Sequence, residues 1–110
     1  MDATGSLWQE GALAGKAAGV FFSTGTQGGG QETIGLTIVT YFAHQGMVFV
    51  PLGFANPKVF SFDEVHGASA YGAGTFAKSD GSRQPSALEK EVAETQGKQF
   101  ASIAAKLAKP

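Results

Sequence analysis

The densest run of residues able to do chemistry is Ser23, Thr24, Gly25, Thr26, Gln27 and Gly28, followed by Gly29, Gly30, Gln31 and Glu32. Short hydroxyl side chains among glycines let backbone amides approach a ligand closely, and such a loop between a strand and a helix can face a crevice. Two phosphate-binding patterns are excluded. Gly25 and Gly30 have Walker A spacing, but Gln31 and Glu32 stand where lysine and then serine or threonine are required. Gly28-x-Gly30 is followed by Thr33 in place of a third glycine, so the run is no dinucleotide fingerprint. A tight turn with positive φ would also call for these glycines, and spacing alone leaves both readings open.

Other candidates are isolated. His44 and His66 have no ligand partners at metal spacing, so no metal site is expected. His44 precedes Gly46 and reads as a helix-terminal histidine at the negative end of the dipole. Trp8 is the single tryptophan, a residue type that most often packs in a core. Arg83, in the run Asp80-Gly81-Ser82-Arg83-Gln84-Pro85, fits a structural role better than an anion site. No general acid–base pair and no activated nucleophile emerges from these residues.

The elements that must position these residues follow from the hydrophobic pattern. Residues 16–22, KAAGVFF, are apolar on both faces and read as a buried parallel strand. A helix is expected over 32–44, with Ile34, Ile38 and Phe42 at i, i+4 and i+8 and Gly46 closing it, although its β-branched residues favour strands. Residues 47–52, MVFVPL, read as a second strand. Residues 54–85 show little periodicity and carry a turn at Asp80-Gly81. A last helix opens on the capping box Ser86-x-x-Glu89 and presents Leu88, Val92, Phe100, Ile103 and Leu107 on one face. Gly97 interrupts that face and is expected to mark a close contact. The order is that of an α/β fold, but with two strands where an open sheet normally has about five.

Composition bounds the rest. The chain has 110 residues, one domain at most, with 43% hydrophobic and 15% charged residues. So low a charge fraction suits surface that is meant to be covered. A net charge of -1 makes no case for nucleic acid or an anionic membrane. Cysteine is absent, which rules out disulfides and thiolate chemistry and suits a reducing compartment. No apolar run has the length of a membrane span and the N-terminus lacks signal-peptide form, so a cytoplasmic location is expected.

Read together, the motifs resemble one family. Asp2-Ala3-Thr4-Gly5-x-Leu7-Trp8, Gly11-Ala12-Leu13-x-Gly15-Lys16, the run from Ser23 through Glu32, Ala43-His44-x-Gly46-Met47, Val50-Pro51-x-Gly53, Tyr71-Gly72-Ala73 and Asp80-Gly81-Ser82-Arg83-Gln84-Pro85 look like the WrbA-type FMN-dependent NAD(P)H:quinone oxidoreductases, in the same order. The resemblance implies a flavodoxin-like three-layer fold, of which residues 1–110 would be the C-terminal half, carrying strands 4 and 5 with their helices and lacking strands 1 to 3. It implies FMN as cofactor, NADH or NADPH as donor, and two-electron quinone reduction by ping-pong hydride transfer through the flavin. Ser23, Thr24, Gly25, Thr26, Gln27 and Gly28 would line the flavin with His44, which would also act on the reduced quinone. Trp8 and Phe54 would wall the substrate pocket. Phe54 stands where many members have tyrosine, and Gln45 where many have a second histidine. The family forms tetramers, so a homo-oligomer is expected. The competing expectation is a non-catalytic module that oligomerises with full-length homologues.

Overall fold

The computed structural model describes residues 2–108. After a 3-10 turn at Asp2–Thr4, the elements run α1 (Gly5–Glu10), β1 (Ala17–Ala18), β2 (Phe22–Thr24), α2 (Gln31–Gln45), β3 (Val48–Phe49), a 3-10 turn at Pro57–Phe60, β4 (Gly74–Phe76) and α3 (Ala87–Ala108). The mixed α/β order expected from the sequence is present, and all named strand pairs are parallel.

The strand expected over 16–22 is displaced and divided. Ala17 and Ala18 pair with Val48 and Phe49, whereas Phe22, Ser23 and Thr24 pair with Gly74, Thr75 and Phe76. One extended segment thus meets two partners in succession along the same direction. The expected strand over 47–52 is shorter than its apolar run, because the chain leaves the pairing after Val50 and returns only as β4. The break is closed by a side chain. Gln96 of α3 accepts the Ala73 amide at 2.7 Å and donates to the Val20 carbonyl at 2.8 Å, satisfying two backbone groups that no strand partner reaches.

The return of the chain to β4 requires close backbone approach. A methyl group at Gly72 would run into the Val20 carbonyl. Leu52, Ala73 and Val92 form the buried cluster at this point, with Val59, Ala68 and Leu88 packed around it. Asn56 caps the 57–60 turn by accepting the Lys58 amide at 2.9 Å, and donates to Glu91 and Thr95 on α3, which fastens the excursion to that helix.

Helix α2 forms despite its β-branched residues. Thr37 donates to the Thr33 carbonyl and Thr40 to that of Thr37, so their hydroxyls are satisfied within the helix. Gly46 at φ 72° ends it, its amide reaching Ala43 and Phe42 and that of Met47 reaching Phe42 at 2.9 Å. The buried face differs from the expected stripe. Phe42 is buried as expected, but Ile34 is exposed and Gly35 and Gln45 face inward with Phe42. The Tyr71 ring lies against Gly35, where a Cβ would come within 2.9 Å of it, and Phe42, Phe49 and Tyr71 follow one another at ring separations of 6.0 and 6.5 Å.

Helix α3 starts at the expected capping box: Glu89 N donates to Ser86 Oγ at 3.1 Å, and Ser86 N to Glu89 Oε1 at 2.9 Å. The glutamate is only 3% exposed and also accepts from Gly67 N, Thr75 Oγ1 and Arg83 Nη1. Gly97 makes no close contact: nothing stands within 4 Å of where its Cβ would be. It lines an apolar groove of about 670 Å3 between residues 19–22 and α3, together with Phe22, Ala93 and Phe100.

Two outcomes follow. Gly72→Ala should lower stability by about 2–4 kcal/mol, read from urea melts, because the Val20 carbonyl is backbone and cannot swing away. Burial alone would raise the Glu89 pKa, but the donors from Ser86, Arg83, Gly67 and Thr75 together outweigh it and hold it below the ordinary value. A carboxyl lowered by folding contributes stability that is complete above its unfolded pKa, about 4.3, and lost as pH falls through the lower folded value. Melting temperatures taken from pH 6 downward should therefore fall through and below about pH 4. Glu89→Gln should be less stable at neutral pH and flatter across this acid range.

Candidate functional site

The glycine loop lies where the C-terminal end of β2 meets the start of α2, with residues 25–29 exposed. Its form is held from within. Thr24 Oγ1 donates to the Thr26 carbonyl at 2.7 Å, and Gly29 N donates to the same carbonyl at 3.2 Å. Gly28 and Gly30 have φ of 63° and 104°, which only glycine adopts freely, and a Cβ on Gly29 would come within 2.8 Å of Thr26. These three glycines therefore have structural reasons. Gly25 has none: its φ is not left-handed and no atom stands within 4 Å of its missing Cβ.

Helix α2 begins behind this loop, but its first turn carries Glu32. A carboxylate in the first turn puts negative charge near the positive end of the dipole and disfavours an anionic ligand there. The loop thus suits an uncharged, planar or hydrogen-bonding group better than a phosphate.

His44 stands at the other end of the same helix. At 1.5 Å per residue, the length of α2 puts about 20 Å between its imidazole and the glycine loop. Its Nδ1 lies 2.8 Å from the Thr40 carbonyl. A carbonyl only accepts, so Nδ1 carries the hydrogen in this contact and Nε2 is left for an external partner. Trp8 belongs to α1 and is exposed instead of packed in a core. The turn preceding α1 is tied to this end of α2, Tyr41 Oη donating to Thr4 Oγ1 at 2.8 Å. Phe54 is exposed and stacked on Phe60 at 4.4 Å. The structure therefore brings Ser23, Thr24, Gly25, Thr26, Gln27 and Gly28 together in one loop, and places His44 at the opposite end of α2.

Arg83 is engaged internally. Nη1 donates to Thr75 Oγ1 at 3.0 Å and the Phe76 carbonyl at 2.9 Å and pairs with Glu89 at 3.0 Å, while Cζ lies 3.8 Å above the Phe76 ring. Gln31 was no candidate in the sequence beyond its place in a motif, yet it donates to Thr24 Oγ1 at 3.2 Å and to the Thr75 carbonyl at 2.9 Å. The second partner is 44 residues away, so no local pattern signals it. Among the described residues no helix is long and apolar enough to cross a membrane.

No family model matches the chain. Individual proteins do. The NAD(P)H quinone oxidoreductase YCP4 of Candida albicans is 59% identical over 109 residues, which is 97% of this chain and 38% of that protein. PST3 of the same organism, also named an NAD(P)H quinone oxidoreductase, is 58% identical over 101 residues, 90% of this chain and 51% of its own length. The quinone-oxidoreductase QR2 of Triphysaria versicolor is 54% identical over 107 residues, 96% and 52% respectively. The chain spans about half the length of these relatives or less. The resemblance read from the motifs holds: nearly all of this chain is homologous to part of proteins named NAD(P)H quinone oxidoreductases.

The internal engagement of Arg83 makes a test. Arg83→Lys keeps the charge but loses the fork and the flat contact with Phe76, so urea melts should show a loss of about 1–2 kcal/mol. A change within about 0.5 kcal/mol would mark Arg83 as an ordinary surface cation.

Proposed function

We propose that this chain carries the flavin-ring face of an FMN-dependent NAD(P)H:quinone oxidoreductase with a flavodoxin-like three-layer fold. The observation that carries the reading is Gly25: in a loop at the end of a parallel strand, it lacks a side chain although the fold does not require it. Close approach of a flat group is the physical use of such a position. Glu32 at the helix start fits the uncharged ring over the phosphate, whose binding this reading assigns to residues outside this chain. Similarity to proteins named quinone oxidoreductases supports the same reaction class.

FMN, when bound, supplies the two-electron relay between NAD(P)H and a quinone. The residues of the chain position and shield. Thr24 and Thr26 hold the loop backbone in shape, and Gly25 leaves room for the ring. Trp8 offers an exposed indole face on which a flat quinone or nicotinamide can stack, and Phe54, paired with Phe60, offers a second aromatic wall. With its Nδ1 hydrogen given to the Thr40 carbonyl, His44 offers Nε2 as an acceptor for a hydroxyl hydrogen of the reduced quinone. Since α2 separates His44 from the loop within one chain, we place them in one site through assembly, the histidine of one copy serving the loop of another in a homo-oligomer.

Incubation with FMN followed by desalting tests the reading. The wild-type chain should retain a flavin spectrum and oxidise NADH faster than free FMN when a benzoquinone is added. Gly25→Ala should keep its circular dichroism spectrum yet bind FMN about tenfold more weakly, the cost of about 1.4 kcal/mol. Equal affinity in the two proteins would remove the loop from the flavin site, whereas a colourless wild-type chain would mean that the ring face does not hold FMN without the phosphate site assigned outside this chain.

A further inference from the structure

We infer that Gln31 is a positioning residue of the loop at 24–30, acting as a two-way hydrogen-bond donor that fastens the loop to β4. Its bearing on ligand binding rests on the proposed flavin site; its bearing on loop order does not.

Gln31 is the first residue of α2 and half-buried. Its carboxamide nitrogen has two hydrogens, and both are used: one reaches Thr24 Oγ1 at 3.2 Å, the other the Thr75 carbonyl at 2.9 Å. The direction of the network is set by its partners. Thr24 spends its own hydrogen on the Thr26 carbonyl, so it must accept from Gln31, and the Thr75 carbonyl can only accept. The chain of donation therefore runs from Gln31 through Thr24 to Thr26, where Gly29 N also ends.

Thr75 is no passive anchor. Its hydroxyl donates to Glu89 at 2.9 Å and accepts from Arg83 at 3.0 Å, so the residue that receives Gln31 is itself pinned to the buried start of α3. The loop otherwise has little holding it. Residues 25–29 are exposed, and among the described residues no other side-chain hydrogen bond of the loop reaches beyond its own turn. The backbone pairing of Thr24 with β4 fixes where the loop begins, and Gln31 adds the side-chain link to β4; its part in binding is to hold Thr24, Gly25 and Thr26 in the form that receives the ring.

Donation, and not size, is the property at stake, which gives an ordering of variants that shape would not. Gln31→Glu matches the glutamine in outline but has no hydrogen to give to either acceptor. It also places a carboxylate at a helix N-terminus, where the favourable dipole is set against repulsion from Glu32 and the Thr75 carbonyl, so global stability should fall little. Gln31→Ala removes both bonds. Gln31→Lys keeps donors within reach of both oxygens.

Amide hydrogen exchange without flavin reads the loop directly. In Gln31→Glu and Gln31→Ala, the Gly29 amide, which donates to the Thr26 carbonyl, should exchange about tenfold faster than in the wild type, the worth of two modest hydrogen bonds, while those of α3 are unchanged. Gln31→Lys should stay close to the wild type. Unchanged loop exchange in both Glu and Ala variants, or acceleration spread equally over α3, would overturn the inference, as would a Glu variant as protected as glutamine. FMN titration then separates the two claims. Equal FMN affinity in wild type and Gly25→Ala, with the exchange ordering intact, sinks the flavin reading and leaves Gln31 as the clamp. Binding of FMN with equal affinity by wild type and Gln31→Ala, despite a loosened loop, would strip Gln31 of its role in binding.

Discussion

Everything in this fold depends on keeping one extended segment, residues 17–24, paired along its length by two pieces of chain that are far apart in sequence. Val48 and Phe49 serve its first half and Gly74, Thr75 and Phe76 its second. Between them the chain makes a long excursion, and an unpaired amide and carbonyl would be left facing the interior at the break. A buried polar group without a partner costs on the order of 1–3 kcal/mol, so the arrangement stands only because Gln96 reaches down from α3 to take both. Gly72 completes the fit by letting the returning chain press against Val20. The sheet is thereby closed by a helix side chain, and α3 is bound to the sheet through polar contacts as well as through Val92 and Leu52.

Glu89 extends this logic to the crest. A buried carboxylate is tolerated only when its acceptor sites are filled, and here the donors come from four places: the capping serine, the excursion at Gly67, β4 at Thr75, and the loop carrying Arg83. Helix start, excursion and final strand are thus fixed relative to one another through one side chain. The glycine loop borrows its order from this hub at one remove, through Gln31 and Thr75.

What could be read in the sequence was what is local. The capping box at Ser86 and Glu89, the helix closed by Gly46, the turn at Asp80-Gly81 and the glycine loop all declare themselves within a few residues, because caps and positive φ are local requirements. The division of the strand was not legible, since Gly19, Val20 and Phe21 are as apolar as their paired neighbours and only a partner 50 residues away decides where pairing stops. β4 was hidden for the same reason: three residues, Gly74, Thr75 and Phe76, have no periodicity to show. Spacing showed Glu89 only as part of the capping box, and its further partners Gly67 and Thr75 are connected to it by no spacing. Gly97 looked like a contact point and borders a groove instead. The loop residues could be named as one group because they are contiguous. The relation of His44 to them could not, because family likeness groups residues by role and leaves open which copy of a chain supplies each.

That relation is the strongest constraint on how the proposed function can be carried out. A rigid helix of fifteen residues separates the loop from His44, and no local rearrangement shortens it without breaking the cap at Gly46 or the clamp at Gln31. A small planar ligand held by the loop cannot also touch that imidazole within one chain. The surface is in keeping with a site completed from outside. Phe21 is 83% exposed beside a buried Phe22, so one face of the segment is covered and the other is bare. Trp8, Phe54, Phe60 and Phe62 are exposed as well, in a chain with only 15% charged residues. Aromatic surface of this extent is a liability in water unless something lies on it. On the proposed reading, the part of the fold assigned outside this chain would cover some of these rings and a second copy would bring its His44 to the loop, neither of which a ligand alone would do.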